Sequence, residues 1–300
     1  MTLTELRYIV AVARERHFGR AAEQCYVSQP SLSVSVMKLE DELGVKVFER
    51  TKTEVLVTEI GKQVVAQAER ALHEAESVKL VAAAGKDQLR GALRLGVIHT
   101  IAPYLLPALV AALRDKAPDM PLDIEENTTE SLDRMLREAA IDVAVLALPD
   151  DAPGIETQAI YEEEFKLIVP AGHSWARRRS VSASELRDEN LLLLSIGHCF
   201  RDQVLEACSR FNHPLESGKQ GNSLETLRSM VASGLGITVL PATALTDRFL
   251  NTLIKVLPFS APVPSRRVAL AWRQGFYRPR AVSLIAKTIR ALKLPIKPIN

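Results

Sequence analysis

Leu6, Ile9, Val10 and Ala13 recur at intervals of three and four, which predicts a first amphipathic helix with Thr4 as its N-cap. The stretch 18–43, FGRAAEQCYVSQPSLSVSVMKLEDEL, then reads as two helices joined by a tight turn. Arg20-Ala21-Ala22 puts small side chains where a second helix can approach, and Tyr26-Val27 ends the first helix with apolar groups. Ser28-Gln29-Pro30 restarts the chain: Ser28 can cap the new helix, and Pro30 is tolerated in a first turn that has no upstream acceptor. In this second helix Val34, Met37 and Leu43 form the expected inward stripe, with Leu39 at its margin. Gln29, Ser31, Ser33 and Lys38 are left outside. Gly44 closes the helix. Residues 45–58, VKVFERTKTEVLVT, alternate apolar and polar around a Thr-Lys-Thr centre, the pattern of a short β-hairpin with Arg50 and Lys52 near its tip.

A long helix is expected over 58–84, where Ile60, Val64, Ala68, Leu72, Ala75 and Val78 fall three to four apart with charges between them. So narrow a seam wants a partner helix, in a second chain or in the rest of this one. Gly85-Lys86-Asp87 reads as a linker. Beyond it strands and helices alternate, which predicts α/β units with a mainly parallel sheet. Strands are expected at 92–98, 122–126, 141–148, 165–169, 191–194, 237–240 and 268–272. Helices are expected at 103–116, 131–140, 223–233 and 281–292. Two such lobes leave a cleft near strand C-termini where a ligand can sit.

Composition bounds these readings without deciding between them. With 300 residues and 47% hydrophobic content, two or three domains are expected. No apolar run approaches membrane-span length and the first residues lack a signal-peptide pattern, so a cytoplasmic protein is expected. Three cysteines are too few for a disulfide scaffold. The net charge of +2 says little about partners. Residues 1–62 hold about as many acids as bases, so any affinity for DNA rests on placed cations.

The helix pair suits the DNA major groove, because short polar side chains at a helix N-terminus are what base-edge readout needs. The alternative is an ordinary helical hairpin. In the reading we adopt, Arg20, Gln29, Pro30, Ser31, Ser33, Lys38, Arg50 and Lys52 form the DNA-facing set, with Arg50 and Lys52 on phosphates. A paired long helix would set two such motifs on one pseudo-palindromic duplex.

In the second half, Cys199 stands between His198 and Arg201 at the expected start of a helix, surroundings that favour a thiolate. A buried, inert cysteine is the plainer alternative, and the one expected for Cys25. Thr100 and Thr129 follow strands and could bind a small polar ligand or merely cap helices. A zinc site through His198, Cys199, Cys208 and His213 lacks a close-set ligand pair, so no metal or other cofactor is expected. After Asp247 the chain has no acid, whereas Arg266, Arg267, Arg273, Arg278, Arg280, Lys287, Arg290, Lys293 and Lys297 follow. A solvated basic face is the expected explanation, with a polymerase or subunit contact as the alternative.

The segment AAEQCYVSQPSLSVSVMKLEDELGVKVFERT resembles the LysR-type transcriptional regulators, and the resemblance extends over the whole chain. LLLLSIGHCFRDQVLEAC, followed by SLETLRSMVASGLGITVLP, resembles the OxyR peroxide sensors within that family. Ser195-Ile196 departs from the acidic or polar pair common there. The resemblance implies an α/β multi-domain chain: a winged helix-turn-helix (1–58), a long linker and dimerisation helix (59–86), and a two-lobed α/β domain (87–300) similar to periplasmic binding proteins. Lobe I would comprise about 87–162 and 268–300, and lobe II about 163–267. The resemblance also implies that Cys199 reacts with hydrogen peroxide and Cys208 resolves it, with Thr100, Thr129, His198 and Arg266 around the peroxide. It implies activation of defence genes, a dimer or dimer of dimers, contact with RNA polymerase, and reduction by a cellular thiol. A regulator binding a small organic effector in the cleft is one alternative, and a thiol peroxidase enzyme is another.

Residues 200–211 contain neither Gly nor Pro and are expected to be partly helical. One straight helix through both cysteines would separate them by ~13.5 Å of rise on opposite faces. A disulfide needs Cα atoms within ~4.4–6.8 Å, so such a helix and the bond exclude each other.

Overall fold

The computed structural model describes residues 1–50, 55–84, 87–148, 153–209, 220–249 and 252–299. They form two compact units, Met1–Lys86 with Glu138–Ala140 and Asp87–Arg137 with Ile141–Asn300.

In the first unit, helix α1 (Leu3–Glu15) is capped by Thr2 rather than Thr4. The Thr2 hydroxyl accepts from the Glu5 amide at 3.2 Å and the Glu5 carboxylate accepts from the Thr2 amide at 2.8 Å. This reciprocal box requires an acid three residues on, which Thr2 has and Thr4 lacks. Helix α2 (Phe18–Gln24) follows, and then α3 (Gln29–Leu43). Ser28 accepts from the Ser31 amide at 3.3 Å, Pro30 occupies the first turn, and Gly44 ends α3 at φ 68°, where a side chain would be strained.

The buried face of α3 is Leu32, Val36 and Leu39, which pack with Ile9, Phe18, Ala21 and Phe48. The predicted stripe is therefore wrong: Val34 is 59% exposed, Met37 42% and Leu43 38%. Val34 and Met37 are helically spaced as well, whereas Leu43 falls half a turn round from Val34, and the core formed with α1 and α2 selects Leu32, Val36 and Leu39. Tyr26, at φ 56°, is also turned outward and is almost fully exposed. Val27 instead closes α2 against the core.

Strand β1 (Phe48–Arg50) pairs antiparallel with β2 (Val55–Val57), Phe48 opposite Val57. The hairpin tip with Lys52, and the Arg50 side chain, lie outside the described residues. Glu40 ties this wing to α3. Its buried carboxylate accepts from the amides of Val47 at 2.9 Å and Phe48 at 3.0 Å, and from Lys46 Nζ at 3.1 Å. Glu40→Ala leaves two buried donors without an acceptor, so a loss of about 2–4 kcal/mol is expected. Faster hydrogen exchange at Val47 and Phe48 would report it.

Helix α4 (Glu59–Ala84) begins against the wing, where a Cβ on Gly61 would collide with the Val47 carbonyl. It packs on α1, with Arg14 and Glu69 paired at 3.0 Å. Ala68 is buried in the unit's own core, with Val64 and Leu72 packed against it. That part of the predicted seam is thus satisfied within the chain, because α1 supplies the partner helix. Ile60 and Val78 remain exposed, at 44% and 68%.

The second unit runs through β3 (Leu93–Ile98), α5 (Ala102–Lys116), β4 (Leu122–Asn127), α6 (Thr129–Arg137), β5 (Val143–Ala147) and β6 (Ile155–Pro170). It continues with β7 (Leu193–Leu194), α7 (Cys199–Ser209), β8 (Gln220–Gly221), α8 (Leu224–Ala232), β9 (Thr238–Pro241) and β10 (Ile254–Pro258). Strand β11 (Ser265–Arg273), α9 (Pro279–Arg290) and β12 (Lys297–Pro298) complete it. The main sheet has the order β10-β6-β11-β5-β3-β4, with β9 and β12 also on β6.

Two cores divide this unit. One gathers β3, α5, α6, β5 and α9 around Leu95, Leu109, Val145 and Ile285; the other gathers Phe165, Leu167, Phe200, Leu227 and Leu240. The 16-residue β6 serves both: residues 155–164 pair with β11, and residues 165–170 lie between β9 and β10. The sheet is mixed rather than mainly parallel. In it β3–β4 and β3–β5 are parallel, whereas β6 and β11 run antiparallel to each other and β11 antiparallel to β5; β7 and β8 form a separate, parallel two-stranded sheet. Hydrophobic alternation locates a strand but does not give its direction.

The acid-free C-terminal stretch is also not simply a solvated face. Arg266, Arg267 and Lys297 meet Glu163, Glu162 and Glu164 of β6 at 2.8, 3.7 and 2.7 Å. Arg278, 3% exposed, donates to the carbonyls of Gln88, Gly91 and Ala92, and Arg290 to that of Ala159. Much of the segment's positive charge is used to close the fold.

Candidate functional site

Strands β3 and β4 run in parallel, and the residues just beyond their C-terminal ends converge on one small cavity of about 10 Å³. His99 and Thr100 follow β3, Asn127 ends β4, and Thr128 and Thr129 come next. Gly197, His198 and Cys199 close it from the start of α7. The volume matches roughly one water-sized molecule. Sequence reasoning named Thr100, Thr129, His198 and Cys199, and all four line this cavity.

Each side chain is held for a different reason. Thr128 caps α6 by accepting from the Ser131 amide at 3.3 Å, so Thr129 does not serve as the cap. The Thr129 Oγ1 is buried and has no hydrogen-bond partner. Thr100, 3% exposed, accepts from Arg266 Nη1 at 2.9 Å, and its carbonyl accepts from Nη2 at 3.1 Å. Arg266 in turn donates to Glu163 at 2.9 Å, and Glu163 accepts from the Thr243 amide at 2.8 Å. Both charged side chains are 0% exposed. Arg266 thus reaches the cavity through Thr100 and is not among the residues lining it.

Burial works against the Arg266 charge, but Glu163, Tyr161 and Cys199 outweigh it and hold its pKa above the usual guanidinium value. His198 is different. Burial, and then the neighbouring His99 at 5.6 Å between ring centroids, push its pKa below the usual imidazole value and favour the neutral ring. Arg201 donates from Nη1 to the Leu194 carbonyl at 2.9 Å and is not among the residues lining the cavity. Of the three basic neighbours considered, Arg266 is the cation that electrostatics couples to Cys199.

Helix α7 is anchored through Phe200 and Val204, both buried, with Phe200 edge-on to Phe165 at 5.0 Å. Its backbone is helical from Cys199 to Ser209, so the two cysteines stand nine residues apart on one helix, ~13.5 Å along its axis. The Cys208 side chain and His213 lie outside the described residues, and with them the zinc reading. Cys25 packs partly buried against the first unit's core, and burial raises its pKa.

In the first unit, Gln29, Pro30, Ser31 and Lys38 are exposed on α3, and Ser33 is half-buried. Lys38 lies 3.8 Å from Glu5, and Arg20 is held by Glu15 through its carboxylate at 3.3 Å and its carbonyl at 2.6 Å. Sequence reasoning missed Glu163, although a signal existed. In the run Glu162-Glu163-Glu164, only Glu163 shares the strand phase of the buried Tyr161 and Phe165.

Two family descriptions match the chain: "Bacterial regulatory helix-turn-helix protein, lysR family" over residues 3–62 and "LysR substrate binding domain" over residues 86–293. A hydrogen peroxide-inducible genes activator of Dickeya chrysanthemi is 39% identical, covering 92% of this chain and 90% of that protein. The DNA-binding transcriptional dual regulator OxyR of Escherichia coli K12 is 38% identical, covering 97% and 95%. The chain belongs to the LysR family, within its OxyR group. Among solved OxyR structures, a full-length cysteine-to-aspartate mutant from Pseudomonas aeruginosa is 50% identical with a TM-score of 0.79, covering 98% of this chain and 96% of that one. A cysteine mutant of Corynebacterium glutamicum OxyR with hydrogen peroxide bound is 34% identical with a TM-score of 0.67, covering 96% and 91%.

Proposed function

We propose that this chain is a hydrogen-peroxide-responsive transcription activator, with Cys199 as the sensing thiol and Cys208 as its resolving partner. The observation that carries the reading is the cavity itself. It opens on Cys199 and on an unpartnered Thr129 hydroxyl, and its volume of about 10 Å³ suits a molecule of peroxide's size. An organic effector needs a pocket of roughly 300–1,000 Å³, so this cavity does not favour the effector-binding alternative.

In the proposed step, the Cys199 thiolate attacks one peroxide oxygen and the O–O bond breaks. The sulfur is oxidised by two electrons to sulfenic acid, and the other oxygen takes a proton and leaves as water. The Cys208 thiol then displaces the sulfenic oxygen as a second water, giving the disulfide. That bond is incompatible with an intact α7, so closing it unwinds the helix and draws Phe200 and Val204 from the lobe II core. A cellular thiol reverses the change. The winged unit gives this chemistry an outlet that a peroxidase has no use for, and so favours a regulator over an enzyme. Mass spectrometry after brief, near-stoichiometric peroxide is the test: a peptide linking Cys199 to Cys208 is expected. Its absence, with operator contacts unchanged, would overturn the mechanism.

On the DNA side, Gln29, Ser31 and Ser33 read base edges, with phosphate contacts from Arg50 and Lys52 and support from Arg20, Pro30 and Lys38. The active form is a dimer, and a dimer of dimers on its operator, acting in the cytoplasm with RNA polymerase. The linker helix contributes to the dimer what α1 leaves uncovered. Val78→Asp, exposed in the single chain, is therefore expected to weaken dimers in sedimentation without unfolding the first unit. An unchanged dimer would remove Val78 from that interface.

A further inference from the structure

Apart from Leu43 in the last turn, the exposed apolar residues of α3 are not scattered. At ~100° per residue, Pro30, Val34 and Met37 fall within one narrow stripe diametrically opposite the buried Leu32, Val36 and Leu39. Val34 is 59% exposed and Met37 42%. A surface helix ordinarily gives that face to charged groups, and α3 does so only at its far end. There Asp41 continues the stripe, 76% exposed and 3.7 Å from Lys46. The apolar part is thus confined to the N-terminal and middle turns, the portion of a recognition helix that enters the groove. The acid marks where the helix must leave the phosphates.

Three side chains cannot supply the roughly 800 Å² per partner of a stable protein interface. They can, however, meet the one apolar group that the major groove offers, the thymine C5-methyl. Ser33 and Lys38 flank the stripe at ~70° on either side, with Ser31 just beyond Lys38, and their polar ends suit base edges and phosphates; Gln29 stands exposed in the first turn, nearer the buried side. We propose that Val34 and Met37 are specificity-determining residues that read thymine methyls, so that each half-site carries thymines at fixed positions beside the base contacted by Gln29. The proposal rests on the DNA-binding reading above and deepens it. It also accounts for the misassigned stripe: these residues are apolar because they face a groove and not because they face a core.

The test uses the full-length reduced chain and duplexes enriched by it from a randomised pool, at one fixed salt concentration. Thymines in the enriched half-sites are replaced singly by uracil, which keeps the pairing and removes only the methyl. A loss of about fourfold in affinity per contacted methyl is expected, the equivalent of one buried methylene. The double variant Val34→Thr, Met37→Gln should bind thymine and uracil duplexes alike. Both sites are exposed, so the variant should keep the parent's thermal unfolding profile, which is recorded alongside. If the parent binds the enriched duplex but is indifferent to uracil everywhere, the methyl reading is overturned and DNA binding stands. Equal uracil sensitivity in parent and variant also overturns it, since another group must then read the methyl. If no duplex is enriched at all, the DNA-binding reading falls, and this proposal with it.

Discussion

Cys199→Ser is expected to abolish the response to peroxide completely, leaving the protein in its reduced DNA footprint at any peroxide concentration that spares the other cysteines. A serine hydroxyl is neither acidic enough to ionise in that cavity nor able to take up the oxygen reversibly, so no sulfenic acid forms and nothing remains for Cys208 to attack. Cys208→Ser should behave differently. It keeps Cys199 at the cavity and so should accumulate sulfenic acid, trapped by a dimedone-type reagent, without completing the bridge or unwinding α7. Cys25→Ser should respond as the parent does, because Cys25 sits in the first unit and burial there favours its neutral thiol. Footprinting and peptide mass spectrometry on the three variants separate these outcomes. A Cys199→Ser protein that still shifts its footprint would remove Cys199 from the sensing step.

Arg266→Ala should be among the most destabilising single changes in the second unit. It leaves Glu163, 0% exposed, as a buried carboxylate without its counter-ion, and takes from Thr100 two hydrogen bonds. Breaking a buried pair from one side costs about 3–5 kcal/mol, well above what an exposed pair such as Arg14–Glu69 contributes. Trp175 and Trp272 give the unit internal reporters for a urea titration. A second variant separates stability from function. Replacing both partners, Glu163→Leu with Arg266→Met, removes the unpaired charge and should recover much of the stability. It restores neither the hold on Thr100 nor the cation coupled to Cys199, so its oxidation by peroxide should stay slow. If the double variant reacted at the parent rate, the network would be structural only.

What was legible in the sequence was local. Ser28, Pro30 and Gly44 fix the ends of α3 through interactions spanning four residues or fewer, and the Cys199 neighbourhood is contiguous. Interactions over longer separations were hidden. Arg266 and Glu163 are 103 residues apart, and only the pairing of β11 with β6 makes them neighbours. The phase of α3 failed for another reason: helical spacing gives two apolar stripes on this helix, and periodicity alone cannot say which meets protein. Strand direction failed likewise, because an alternating pattern reads the same from either end. The resemblance to a family supplied Thr129 and Arg266, whereas Glu163 could have been found from strand parity alone.

The place of β11 in the sheet bears on how the chain must be made. It lies between β5 and β6, yet it is synthesised after both. Until Ser265–Arg273 leaves the ribosome, β5 presents an open edge whose residues Val143–Ala147 are all destined for burial. An unpaired apolar edge of that kind invites pairing with another chain. A polypeptide ending before Ser265 therefore cannot form a smaller sensor: it would keep its winged unit and carry a sticky, half-built sheet. Premature termination or slow translation of the last third of the message should yield aggregates before it yields a truncated regulator.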